Sequence, residues 1–200
     1  LTEKKYLKFF VYLFSLFIFF SIIYISTPKL LNFSPESVKE SLKNNNNIKI
    51  RNISKIDYKI FPTPRLILPN SSFVVGEGIF EVNNSELEII LNISEILNFK
   101  TVDYKKLLIH QGSLEININN ISKLLNNINK NKKKLIFKKN NIIFLYKENF
   151  FFEISDALIN LKTPSKKKEL TINGNFLNNK ILIKLEKKSK NKNNLTLKIP

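Results

Sequence analysis

The chain has 200 residues and a formal net charge of +17, from 33 Lys and Arg against 16 Asp and Glu. It has no cysteine and one histidine, so disulfides, thiolate metal sites and histidine-based triads or metal centres lack partners. The positive charge does not imply nucleic acid: only Arg51 and Arg65 are arginine, the residue that makes bidentate contacts to phosphate and guanine. A lysine-coated surface, in a chain whose Lys, Asn and Ile excess matches AT-rich codon usage, is the simpler account. Lysine clusters at 130–139 and 187–192 read as solvated loops that also suit anionic head groups.

Residues 1–8 are a short basic segment. Residues 9–25 (FFVYLFSLFIFFSIIYI) carry no charge and only two serines. As a helix they span about 25 Å, and a start at Tyr6 with Lys8 snorkelling reaches the ~30 Å hydrocarbon thickness. Phe9, Phe10, Leu13, Phe14, Phe17, Phe20 and Ile23 form the expected transmembrane anchor. A cleaved signal peptide is the alternative, but the run is longer than the usual 7–15 residues and no small-x-small cleavage site follows. Lys4, Lys5 and Lys8 precede the span, whereas Lys29 is the only cation in the first dozen residues after it. The positive-inside rule places the N-terminus in the cytoplasm. The remainder then lies outside, which for a bacterial inner membrane means the periplasm.

Residues 26–47 form a linker and a short helix. Thr27-Pro28 ends the first helix. Ser34 is a good N-cap, Pro35 suits the first helical position and Glu36 the first turn. Val38 and Leu42 share a face, and the Asn44 to Asn47 run stops the helix.

From residue 48 to 200 the period becomes that of strands. Leu87, Ile89 and Leu91 alternate with mostly polar neighbours, as do Leu114 and Ile116, Leu170 and Ile172, Ile181 and Ile183, and Leu195, Leu197 and Ile199. Turn signals stand at Asn83-Asn84, Gln111-Gly112, Lys139-Asn140-Asn141 and Asn178-Asn179. Ile121, Leu124, Leu125 and Ile128 have helical spacing. The expected fold is mainly β: an N-terminal transmembrane helix, one or two short helices, and a curved antiparallel meander with an open apolar groove. The first residue is Leu, and a strand-like segment runs up to Pro200, so the chain reads as a fragment of a longer protein.

Catalytic signals are weak. His110 reads as structural or surface, and Glu86/Glu88 as a solvated face. No phosphate loop, GxSxG or HExxH motif occurs. The reading is therefore a non-enzyme with no cofactor and no metal. Asn-x-Ser/Thr triplets at Asn52, Asn92 and Asn194 are expected by chance in an Asn-rich chain.

One ordered set of segments goes further. Residues 54–60 form an alternating strand that runs into Phe61-Pro62-Thr63-Pro64-Arg65-Leu66, where two prolines interrupt pairing. Later, Ser85-Glu86-Leu87-Glu88-Ile89-Ile90-Leu91 leads into Ile93-Ser94-Glu95-Ile96-Leu97 and out through Leu107-Leu108-Ile109. After an anchor and a short helix, this order resembles the N-terminal region of the AsmA family over about residues 5–118. Gln111-Gly112-Ser113-Leu114-Glu115-Ile116 stands where the family has Gly-Pro-x-Ile, without the proline. The glycine usual after the family's "leu-leu" turn is replaced by Asn98-Phe99-Lys100.

The resemblance implies an inner-membrane protein of Gram-negative bacteria that supports outer-membrane biogenesis and guides phospholipid along an apolar β trough. Leu87, Ile89, Leu91, Leu114, Ile116, Leu170, Ile172, Ile181 and Ile183 would face the lipid. The rival reading is a membrane-anchored β-sandwich scaffold for other envelope proteins, with the same residues as ordinary core. Membrane lipid and envelope proteins are the expected partners.

Overall fold

Among the described residues eleven strands join in one sheet, and they are far from straight. The computed structural model describes residues 2–30, 33–76, 78, 80–120, 133–162, 168–189 and 192–199. Helix α1 (Thr2–Ser26) includes most of an apolar stretch, Tyr6–Lys29, that is long enough to cross a membrane. Its apolar side chains from Tyr6 to Phe20 are exposed. Helix α2 (Pro35–Asn46) starts as expected, with the Ser34 hydroxyl accepting from Ser37 N–H at 3.1 Å. The helix continues through the asparagine run and stops at Asn47, which is left-handed at φ 51°.

The strands are β1 (Ile48–Asn52), β2 (Asp57–Lys59), β3 (Arg65–Val75), β4 (Phe80–Leu91), β5 (Tyr104–His110) and β6 (Ser113–Asn117), followed by β7 (Lys134–Tyr146), β8 (Asn149–Lys162), β9 (Lys168–Phe176), β10 (Asn179–Ser189) and β11 (Lys192–Lys198). Their order is β1-β3-β4-β5-β7-β8-β9-β10-β11, with β2 beside β3 and β6 between β4 and β7. β5 and β6 are one interrupted strand: Glu86 faces His110 and Glu81 faces Glu115 in the same register on β4.

Three expectations are corrected. The sheet is mixed, because β7 runs parallel to β5 and β6. A tight hairpin reverses the chain and so cannot join parallel neighbours, which need a longer connection. Three of the four turn signals do not reverse the chain: two lie inside strands and Gln111-Gly112 lies at the break between β5 and β6. Asn84, Gln111 and Lys139 are left-handed, at φ 50°, 55° and 52°, but the chain goes straight on after each. The same backbone conformation serves a turn and a bulge, so the residue types alone do not separate them. Asn178 does lie in a turn, between β9 and β10. Lys134, Lys138 and Lys139 belong to the exposed face of β7, where a loop was expected. The helix expected at 121–128 lies outside the described residues.

The bulges form a line. Asn70 in β3, Asn84 in β4, Gln111 between β5 and β6, Lys139 in β7 and Asp156 in β8 all have φ between 49° and 55°, and all are exposed. The next residue is buried each time: Ser71, Ser85, Gly112, Asn140 and Ala157. An ordinary strand would turn its apolar set to the opposite face after an odd step. The inserted residue cancels that flip, so Leu68 and Ser71, Val82 and Ser85, Ile109 and Gly112, Phe137 and Asn140, and Ile154 and Ala157 stay on one face. The line ends at β9, where Gly174 takes its place and pairing with β10 is regular.

This crease folds the apolar face inward. Phe80 and Phe137 lie on opposite sides of it, yet their ring centroids are 6.1 Å apart. The end of α2 ties the two sides together. Asn46 donates to Lys133 O at 2.8 Å and accepts from the Tyr104 hydroxyl at 2.7 Å, while Asn47 O accepts from Gly76 N–H at 3.1 Å. Val38 and Leu42 of α2 are fully buried in the resulting core.

Candidate lipid-handling face and membrane junction

All nine residues expected to face lipid lie in one apolar cluster. Leu87, Ile89 and Leu114 have no exposure, while Ile181 and Ile183 reach 7% and 8%. Near α2 the face is thus packed against itself by the crease. Beyond β9 the crease is absent and the cover thins. On β11, Leu197 is 55% exposed, and Ile199 just past its end is 61% exposed. Sequence reasoning missed one arm of β3 and β4, with Phe73 and Phe80, and both arms of β7 and β8, with Phe137, Phe144 and Ile159, all buried on this face.

The residues expected to form a membrane anchor, Phe9, Phe10, Leu13, Phe14, Phe17, Phe20 and Ile23, are 47–69% exposed along α1. An isolated apolar rod of this length is unfavourable in water and favourable in hydrocarbon.

Two tyrosines fix the end of that rod to the sheet domain. The Tyr24 hydroxyl sits 2.9 Å from Ile93 O and 3.1 Å from Ser94 O, and the Tyr58 hydroxyl donates to Ile25 O at 2.6 Å. Burial pushes the Tyr58 phenol up to about 12. Between the helix and the 93–97 turn lies a cleft of about 520 Å³, walled by Phe17, Phe20, Ile23 and Ile25 on one side and by Ile93 and Leu97 on the other. Nearby, Phe33 packs on Phe99 at 5.1 Å between ring centroids. Asp103 accepts from Asn92 and, at 2.9 Å, from Lys133. Burial raises the Asp103 carboxyl, but these two hydrogen bonds, the Lys133 charge and the Tyr104 amide together bring it below its ordinary value.

The outer face carries the groups first weighed for chemistry. Glu88 lies 3.7 Å from Arg65 Nε and 4.0 Å from His110 Nε2. This is a cross-strand charge cluster on β3, β4 and β5. Among the described residues, no three His, Asp or Glu side chains gather as a metal site. No protein-family model, curated protein or solved structure matches the chain.

Proposed function

We propose that this chain is a non-enzymatic, inner-membrane-anchored protein of the bacterial envelope. In this reading its N-terminus is cytoplasmic and its β domain periplasmic. It guides phospholipid acyl chains along the apolar sheet face and so supports outer-membrane biogenesis, as the AsmA-like order of its segments implies. The observation that supports this best is a single continuous apolar face, attached to a membrane-length helix and uncovered at its far edge by Leu197 and Ile199. An acyl chain gains about 0.8 kcal/mol per methylene on leaving water, so an apolar path needs no chemistry to be occupied.

The burial of all nine nominated residues favours the second reading, a tethered structural domain that holds other envelope proteins. Neighbouring positions on β11 separate the two. A photoreactive residue is placed at Leu197 or at Lys198, which points to the other face, and the full chain is irradiated in membranes. Lipid adducts at 197 and none at 198 support lipid guidance. Equal yields at both, or none at either, leave the structural domain.

A further inference from the structure

We propose that the cleft between α1 and the 93–97 turn seats an acyl chain of an anionic bilayer phospholipid, with nearby lysines at the level of its head group. This rests on the reading that α1 spans the membrane, and it adds a specific lipid site at the membrane junction.

The wall of the cleft settles what can fill it. Phe17 lies seven residues before Tyr24, about 10 Å deeper along the helix. With Tyr24 at the interface, where tyrosine rings settle, Phe17 and Phe20 lie within hydrocarbon. Ile93 and Leu97 line the same cleft, although they belong to the sheet domain, and they are 44% and 40% exposed. The turn's backbone is held at the level of Tyr24, and its Ile93 and Leu97 side chains line the cleft with Phe17 and Phe20 on the hydrocarbon side. Water does not occupy an apolar space at that depth; a lipid tail does.

The polar atoms of the cleft point to the same occupant. Ser21 Oγ donates to Phe17 O at 2.8 Å and Thr27 Oγ1 to Ile23 O at 2.8 Å. The Tyr24 hydroxyl is taken by the 93–94 carbonyls. Each side-chain hydroxyl already has a partner, so the cleft asks nothing polar of its ligand.

Above it the surroundings change sign and character. Lys29, Lys59 and Lys100 are exposed around the helix exit, close in sequence to the exposed apolar residues Leu30, Phe61 and Leu97. Of the acids at this end, Asp57 is paired with Lys55 and Asp103 with Lys133, while Glu95, exposed in the turn, offsets one of the three lysines and leaves the balance positive. Lysine above an apolar cleft matches an anionic head group above its tail.

The test uses the full chain in liposomes of phosphatidylcholine, alone or mixed with phosphatidylglycerol, doped with a phospholipid bearing a diazirine in its acyl chain. Resistance to carbonate extraction is scored first, and its loss overturns the proposal together with the anchor. After irradiation, adducts are mapped by mass spectrometry. The expected result is several-fold more adduct on Ile93, Leu97 and Phe20 than on Phe19 and Ile22, which lie at similar depth but do not line the cleft. The excess grows with phosphatidylglycerol. Ser21→Phe, which fills the cleft, removes the excess and leaves the adducts on Phe19. Uniform labelling around the helix, or no response to Ser21→Phe, overturns the site. Equal yields in the two lipid mixtures overturn the head-group preference. Cleft labelling without any adduct at Leu197 keeps this site and removes the transport reading, so the two failures are distinguishable.

Discussion

Gly112 faces Ser85 so closely that a Cβ on the glycine would stand 2.6 Å from the Ser85 Cβ and 2.9 Å from Asn83 O. The contact sits on the crease, where the β5–β6 break meets the bulge in β4. Backbone cannot retreat there without opening the pairing on both sides. Gly112→Ala is expected to cost about 1–3 kcal/mol, as overpacking does in a tight core. Its neighbour Gln111 is left-handed and exposed. Gln111→Gly relieves an unfavourable conformation and is expected to be neutral or to stabilise by up to about 1 kcal/mol. Chemical unfolding of the full chain in detergent, followed by circular dichroism, gives both midpoints. Equal effects of the two changes would show that the crease is not a close approach.

Asn140 holds the same break from the other strand. It is fully buried in β7, its Oδ1 accepting from Gly112 N–H at 3.0 Å and its Nδ2 donating to Ile109 O at 2.9 Å and Lys138 O at 3.0 Å. The side chain thus supplies the hydrogen bonds that a continuous strand would have made. Asn140→Ala leaves the Gly112 amide without this acceptor in a buried place, at about 1–3 kcal/mol. Asn141 beside it is exposed, and Asn141→Ala is expected to stay within about 0.5 kcal/mol. The same unfolding measurement compares them, and a tolerant position 140 would remove the side chain from the support of the crease.

The crease also explains what the sequence makes legible. Strict alternation finds one arm of a bulged strand and loses the other, because the apolar set changes parity at the inserted residue. Leu87, Ile89 and Leu91 are plain in the sequence, whereas Phe80 and Val82 of the same strand fall out of phase with them. β7 and β8, the longest pair, show no unbroken alternation and pass unnoticed. Helix α1 and the start of α2 are legible because length, charge and capping are local properties. Burial of the apolar face is not, since alternation reports that a face avoids water without saying what it meets. The parallel placement of β7 is a long-range pairing that no local signal announces.

The junction between α1 and the sheet has an acid-sensitive tie. Asp103 is held below its ordinary value, chiefly against a burial effect that acts the other way. A group with a depressed folded-state value contributes stability above its unfolded pKa and loses it as the pH falls through the folded value. The expected loss therefore develops below about pH 4, where free aspartate begins to protonate. Lys133→Met removes the main favourable partner and should flatten the dependence of the unfolding midpoint on pH in that range. An unchanged slope would mean that the pair does not couple to folding.

Helix and sheet domain meet through two phenols, and their removal should loosen the joint without unfolding either part. Tyr24→Phe deletes the hydroxyl held by the Ile93 and Ser94 carbonyls of the turn, and Tyr58→Phe deletes the bond to Ile25 O at the end of the helix, each worth about 0.5–1.5 kcal/mol. The ring of Tyr58 still packs against the core cluster in the phenylalanine variant, so the unfolding midpoint should move little. Orientation is the sensitive readout. With no native cysteine in the chain, spin labels at Phe14→Cys and Ser94→Cys report the distance between helix and turn in a bilayer. The double phenylalanine variant is expected to broaden that distribution, and the single variants to broaden it partly. A distribution as narrow as that of the unmodified chain would show that packing at Phe17, Phe20, Ile93 and Leu97, or a lipid held between them, fixes the helix without the tyrosines.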